Sequence, residues 1–173
     1  AYQLANAATA LAAIDLLRDR VHVGSGAVRD GLITVHLEGR FQVLPGRPVT
    51  VLDVAHNPQA ARAIATTLSS MGRFPQTIAV FGILVDKDIG GVIAAMKERI
   101  ERWHVATLPG PRGASAAVVA AALAHAGVAA SAINAFDDIE SALAAARGAT
   151  SEADRIVVFG SFLTVAAALA VAR

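Results

Sequence analysis

The stretch VLDVAHNP, residues 51–58, brings an aspartate, a histidine and an asparagine together directly after an apolar run. Asp53 falls where a strand is expected to end. A carboxylate in that position is costly unless it is hydrogen-bonded or solvated. At the rim of a cleft it can accept bonds from ribose hydroxyls or hold an arginine; alternatively it ties down its own loop. Pro58 suits a first helical turn, where its missing N–H would be unpaired anyway. Asn57 suits the N-cap before it. Those two residues have an adequate structural role, which leaves Asp53 and His56 as the candidates for chemistry.

Three further stretches place reactive side chains at element ends. GILVDKD sets Asp86, Lys87 and Asp88 after a second apolar run. Asp88 is expected to cap the next helix. Lys87 suits a carboxylate or a phosphate, or else the three residues form a solvated charge cluster. PGPRGAS, residues 109–115, reads as an anion loop built on Arg112 and a helix start near Ser115, or as a plain turn and cap. FGSFLT puts Ser161 at another helix start, where exposed N–H groups favour anions or where the serine acts as a cap. The pattern G-x-S-x-G is missing, so Ser161 is not expected to be a nucleophile. His22, His36, His104 and His125 are scattered, without the i,i+4 or carboxylate spacing of a zinc site. They are expected at the surface or as satisfied interior residues, with Trp103 packed beside the sheet.

Loops of this kind need strands and helices to present them. Residues 5–19 have helical character, and Ser25 is expected to cap a short helix through about Thr34. The Gly and Pro punctuation of HLEGRFQVLPGRP marks a connector with a short edge strand at 41–44. From there strands at 49–55, 76–84, 102–108, near 128–134 and at 155–161 alternate with helices at 58–70, 88–100, 114–126, 137–147 and 162–172. That rhythm predicts an α/β fold with right-handed crossovers and a mostly parallel sheet. The runs at 78–83 and 156–159 are nearly continuously apolar, as expected when both sheet faces are covered. Ligands bind beyond the carboxyl ends of such strands. The rule selects the loops 53–58, 82–88, 108–115 and 160–164.

Composition narrows the function classes. The chain has 173 residues, 55% of them hydrophobic, and a net charge of +1. The charge balance lacks the basic footprint of a nucleic-acid binder, and no basic–aromatic interleaving suggests one. There is no cysteine, which excludes disulfides and thiolate metal sites and fits a reducing cytoplasm. The uncharged stretches 113–136 and 156–172 are broken by polar residues or too short for a span, and read as buried strand–helix pairs. The opening AYQLANAATALAAIDLL carries no initiator methionine and no signal-peptide pattern, and reads as the start of a fragment.

The segment EGRFQVLPGRPVTVLDVAHNPQAA resembles the start of the C-terminal domain of the bacterial dihydrofolate synthase/folylpolyglutamate synthase family, within the Mur-ligase superfamily. The resemblance continues through VFGILVDKDIGGVI, PRGAS and VFGSFLTVAAAL, and reaches back to NAATALAAI. It implies that residues 39–173 form a Rossmann-like three-layer domain of the Mur ligase C-terminal type, and that residues 1–38 are the end of a central ATPase domain and its linker. The implied activity is ATP-dependent: a substrate carboxylate becomes an acyl phosphate, L-glutamate attacks it, and an amide forms with dihydropteroate or a reduced folate such as tetrahydrofolate. Asn6, Arg40 and Asp53 match the family's nucleotide contacts. His56 and Lys87 are the residues expected to meet phosphate or the incoming glutamate. Arginine makes paired bonds to phosphate, and a carboxylate only accepts, which suits ribose or the orientation of Arg40. Val54 stands where the family often has glycine, and Glu38 where proline commonly precedes Gly-Arg. The phosphate loop G-x-x-x-x-G-K-[ST], the magnesium site and the pterin pocket are absent; in the family they lie in preceding domains. The chain alone is therefore expected to be inactive, monomeric and cytoplasmic, with no nucleic-acid or membrane partner. The alternatives are a peptidoglycan Mur ligase domain and a non-catalytic nucleotide-binding module of the same fold.

Overall fold

The computed structural model describes residues 2–35 and 37–171; His36 lies outside them. The chain divides into two compact units, residues 1–38 and 39–173. The first contains helices α1 (Tyr2–Leu16) and α2 (Ser25–Thr34). Leu4 and Leu16 stand exposed on α1, and α2 buries no residue. Ser25 was expected to cap α2 but is instead its first helical residue. Gly24 takes the cap position in an extended conformation, and its carbonyl accepts the Val28 N–H to close the first turn.

The second unit runs β1 (Gln42–Leu44), β2 (Val49–Asp53), α3 (Pro58–Ser70), β3 (Thr77–Phe81), α4 (Ile89–Met96), β4 (Arg102–Ala106), α5 (Ala116–His125), β5 (Ile133–Phe136), α6 (Ile139–Gly148), β6 (Arg155–Phe159) and α7 (Phe162–Ala170). The sheet order is β1-β2-β6-β3-β4-β5. Only β1 is antiparallel, pairing with β2 at the edge. The chain steps outward from β2 to β5, then returns to insert β6 between β2 and β3.

Alternation along each central strand divides the core in two. Ala79, Phe81, Trp103, Val105, Val157 and Phe159 face α3, α4 and α5, where Ile64, Leu68, Ile93, Met96, Val119 and Leu123 meet them. Ile78, Val80, Ile156 and Val158 face α6 and α7, against Leu143, Ala146, Val165 and Ala168. Phe81 stacks on Phe159 at 4.7 Å between ring centroids, and Trp103 meets both rings edge-on. Helices therefore cover both faces, which is why these strands read as unbroken apolar runs.

The first helix runs Tyr2–Leu16 where 5–19 was expected, and the strands expected to reach 55, 84, 108 and 161 stop at Asp53, Phe81, Ala106 and Phe159. Two further elements shift. The strand expected near 128–134 forms at Ile133–Phe136. Gly127, at φ +85°, ends α5, and Val128 N–H returns to the Leu123 carbonyl, so residue 128 completes a helix terminus and cannot begin a strand. The helix expected over 88–100 stops at Met96, and Lys97–Arg99 tighten into a 3-10 turn.

Arg155 anchors the end of the sheet where the parallel strands begin. It is 5% exposed. Its guanidinium donates to the Leu68 carbonyl at 2.9 Å and the Thr77 hydroxyl at 3.0 Å, and lies 4.5 Å from the Phe74 ring centroid. A cation at the carboxyl end of α3 also meets the negative pole of that helix.

Candidate functional site

Register fixes where the site forms. Asp53 pairs with Phe159, and Phe159 with Phe81, so β2, β6 and β3 end at one level. The loops 54–57, 160–161 and 82–88 leave the sheet side by side. Two glycines make this possible. Gly160 sits at φ +115°, and a Cβ there would meet the Gly82 carbonyl oxygen and the Phe81 ring. The close approach lets the buried Thr164 hydroxyl donate to that carbonyl at 2.6 Å, which pins α7 to the β3 loop.

Asp53 ends β2 at 3% exposure. Its Oδ1 accepts the Ala55 N–H at 2.8 Å, and its Oδ2 accepts the Phe41 N–H at 2.8 Å. One carboxylate thus holds its own loop and the connector twelve residues upstream. The connector needs holding. Gly39 and Phe41 lie at φ +66° and +49°, and the left-handed region costs a non-glycine residue about 1–2 kcal/mol. Gly39 is buried, its carbonyl accepts the Val54 N–H at 2.8 Å, and a Cβ on it would clash with Val165 and Val54. Arg40, between these two left-handed residues, is turned outward at the same edge as Asp53. Its guanidinium carbon lies 5.6 Å from the centroid of the Phe162 ring.

His56 follows on the β2 loop. Its Nδ1 donates to the Val54 carbonyl at 2.9 Å. A carbonyl only accepts, so in the neutral ring the proton sits on Nδ1 and Nε2 is left as an acceptor. The ring centroid is 6.3 Å from that of Phe162. Asn57 caps α3 through the Ala60 N–H at 2.9 Å, with Pro58 in the first turn. Asp88 caps α4 through Gly91 N–H, Ser115 caps α5 through Val118 N–H, and Ser161 caps α7 through Leu163 N–H.

His56, Leu84, Lys87, Ser161 and Phe162 line one shallow pocket of about 170 Å³. The structure therefore brings Arg40, Asp53, His56 and Lys87 to a single edge of the second unit, with Phe162 touching both the arginine and the histidine. Asn6 stands exposed on α1 in the first unit. Arg112 departs from the anion-loop reading: its Nη2 donates to Asp86 Oδ2 at 2.8 Å and its Nε to Oδ1 at 3.3 Å. That pair holds the Asp86 carboxyl below the usual carboxylate range. Phe162 was missed as a site residue because an aromatic opening an apolar helix reads as core; in fact it is 58% exposed. His104 is an interior residue, 2% exposed, with Nδ1 hydrogen-bonded to the Ala142 carbonyl at 3.2 Å. Among the described residues no group of three or more His, Asp or Glu could hold a metal. No described helix is long and apolar enough to cross a membrane.

A doubly covered, mostly parallel sheet with a basic and acidic constellation at the carboxyl ends of β2, β6 and β3 has that constellation where open α/β sheets bind their ligands. Residues 39–162 match the family described as Mur ligase, glutamate ligase domain, and the chain belongs to that family. It is 40% identical over 161 residues to the dihydrofolate synthase/folylpolyglutamate synthase of Escherichia coli, covering 93% of this chain and 36% of that protein. It is 35% identical to the Haemophilus influenzae protein of the same name, covering 94% of this chain and 41% of that one. The structure of E. coli FolC in complex with DHPP and ADP superposes with a TM-score of 0.85 at 39% identity, over 96% of this chain and 38% of that one. A bifunctional folylpolyglutamate synthase/dihydrofolate synthase with Mn, AMPPNP and L-glutamate bound gives 0.85 at 42%, over 97% and 39%. The chain thus spans well under half the length of these relatives.

Proposed function

We propose that this chain is the C-terminal part of an ATP-dependent ligase that joins L-glutamate to dihydropteroate and to reduced folates. Residues 39–173 are its glutamate ligase domain, and residues 1–38 close the preceding ATPase domain. The observation that carries the reading is the meeting of an outward arginine, a strand-end carboxylate and the His56–Lys87 pocket at one sheet edge. Family membership and the ligands bound by the relatives point the same way.

In this reading Arg40 pairs with phosphate oxygens, which a planar guanidinium does bidentately, and steadies charge on the transferring phosphoryl group. Asp53 keeps Arg40 aimed by gripping the Phe41 N–H, and its carboxylate, which only accepts, suits a ribose hydroxyl. Asn6 contacts the base. The substrate carboxylate takes the γ-phosphoryl group and ADP leaves. The amine of L-glutamate then attacks the acyl carbon, phosphate departs and the amide remains. Lys87 receives a glutamate carboxylate, and His56 Nε2 accepts a proton from the attacking amine. Among the described residues no group of three or more His, Asp or Glu could hold a magnesium ion. The metal falls to the rest of the protein, and no role here depends on it. The working protein is a cytoplasmic monomer.

The test is phosphate release by the intact protein with ATP, L-glutamate and either dihydropteroate or tetrahydrofolate. Turnover that requires both the amino acid and a pterin acceptor is expected. Turnover with a peptidoglycan precursor and none with a pterin would replace this reading by the cell-wall branch. ATP binding without any acceptor-dependent turnover would favour a non-catalytic module.

A further inference from the structure

Lys87 shares its loop with a carboxylate that competes for its charge. Asp86 Oδ2 lies 3.5 Å from Lys87 Nζ, yet the same oxygen accepts the Arg112 Nη2 bond at 2.8 Å. Arg112 comes from the neighbouring β4–α5 loop. That loop is already fastened to the Lys87 loop through the backbone. Val85 N–H donates to the Arg112 carbonyl at 2.9 Å, Ala114 N–H donates to the Ile83 carbonyl at 3.0 Å, and Leu84 bridges Gly113. The side-chain pair is not needed to join the loops. Both its partners are well exposed, and exposed ion pairs add little stability. Its effect is on charge. Asp86, Lys87 and Asp88 sum to −1 on this loop; Arg112 clasping Asp86 brings the sum to zero, with Asp88 turned to the Gly91 N–H as a helix cap. Lys87, whose side chain is only 29% exposed, then lines the pocket beside His56 and Ser161.

We propose that Arg112 is a positioning residue for ligation: by occupying Asp86 it keeps the Lys87 ammonium available to the carboxylate of the incoming amino acid. This rests on the ligase reading above. Without Arg112, Asp86 is left to Lys87 alone, and the ammonium attracts an anion less strongly. The bidentate fork matters as well as the charge, because a lysine in its place gives a single point contact.

The experiment measures glutamate-dependent phosphate release in the intact protein and three variants. Arg112→Ala is expected to raise KM for L-glutamate about five- to tenfold, with kcat changed less than about twofold, as for an interaction equal in ground and transition states. Asp86→Asn combined with Arg112→Ala removes the competitor as well, and is expected to bring KM back to within about twofold of the wild type. Arg112→Lys falls between. A merely structural clasp predicts the reverse, with the double variant at least as impaired as the single one. An unchanged KM in Arg112→Ala, or a double variant no better than the single, overturns the inference while leaving the ligase reading intact. A wild type that turns over ATP with no need of glutamate overturns both.

Discussion

At the residue scale, Asp53 does two things that its sequence context left open as alternatives. It ties its own loop through the Ala55 N–H, and it holds the connector next to Arg40 through the backbone N–H of Phe41. The distinction is testable. Both N–H groups donate, so an amide in place of the carboxylate turns its own NH₂ against one of them. Asp53→Asn is expected to destabilise the domain by about 1–3 kcal/mol, the cost of a lost charge-assisted bond and an unsatisfied buried donor, read as a lowered urea midpoint. Arg40→Ala is expected to leave that midpoint within about 0.5 kcal/mol, because Arg40 is an exposed residue outside both hydrophobic clusters. Equal losses in the two variants would contradict the division of labour. The spacing of VLDVAHNP marked Asp53 and His56 as chemistry, and Asn57 and Pro58 as a helix start. It could not show the partner of Asp53, because Phe41 lies twelve residues upstream and its left-handed turn has no signature in residue type.

At the element scale, the strand–helix rhythm and four of the five expected N-caps were legible, since each rests on local preferences: Asn57, Asp88, Ser115 and Ser161 cap as their types suggest, while Gly24 displaces Ser25. The start of the fifth strand was not, because a helix terminus at Gly127 and Val128 competes for the same residues. The approach of β3 and β6 makes Gly160 indispensable. Gly160→Ala is expected to cost about 2 kcal/mol or more, from a strained φ and a collision with the Gly82 carbonyl, and to lower the thermal midpoint by several degrees. A neutral substitution there would mean that the two loops are free to separate.

The β4–α6 contact supplies a pH dependence. Burial holds His104 below the usual imidazole range, and the charge of Arg102 adds to the effect. A depressed folded pKa means that the unfolded chain binds the proton more readily. The stabilisation is therefore present above about pH 6.5, the unfolded value, and is lost as pH falls towards the folded value. Urea midpoints should drop between about pH 7 and pH 5 in the wild type, and the slope should flatten in His104→Phe. An identical slope in both proteins would assign the titration elsewhere.

At the scale of the whole molecule, the two units differ in kind. The second has a doubly covered sheet and two hydrophobic clusters. The first consists of two helices, the second of which buries nothing. The match to the glutamate ligase domain likewise begins at residue 39. The fold class was legible because parallel sheets impose long-range order through short-range alternation. The convergence of Asp53, His56 and Lys87 on one sheet edge was legible because all three follow strand ends, which is where such sheets bind ligands. The Asp86–Arg112 clasp was not, because two loops 26 residues apart meet only once the sheet has formed.

The most direct test of the account is the effect of Arg40→Ala on ATP-driven ligation in the intact protein. The account predicts that kcat/KM for ATP falls at least about tenfold, roughly 1.4 kcal/mol of transition-state stabilisation, with an unfolding midpoint indistinguishable from the wild type. Ligation at the wild-type rate by a normally folded Arg40→Ala protein would contradict it.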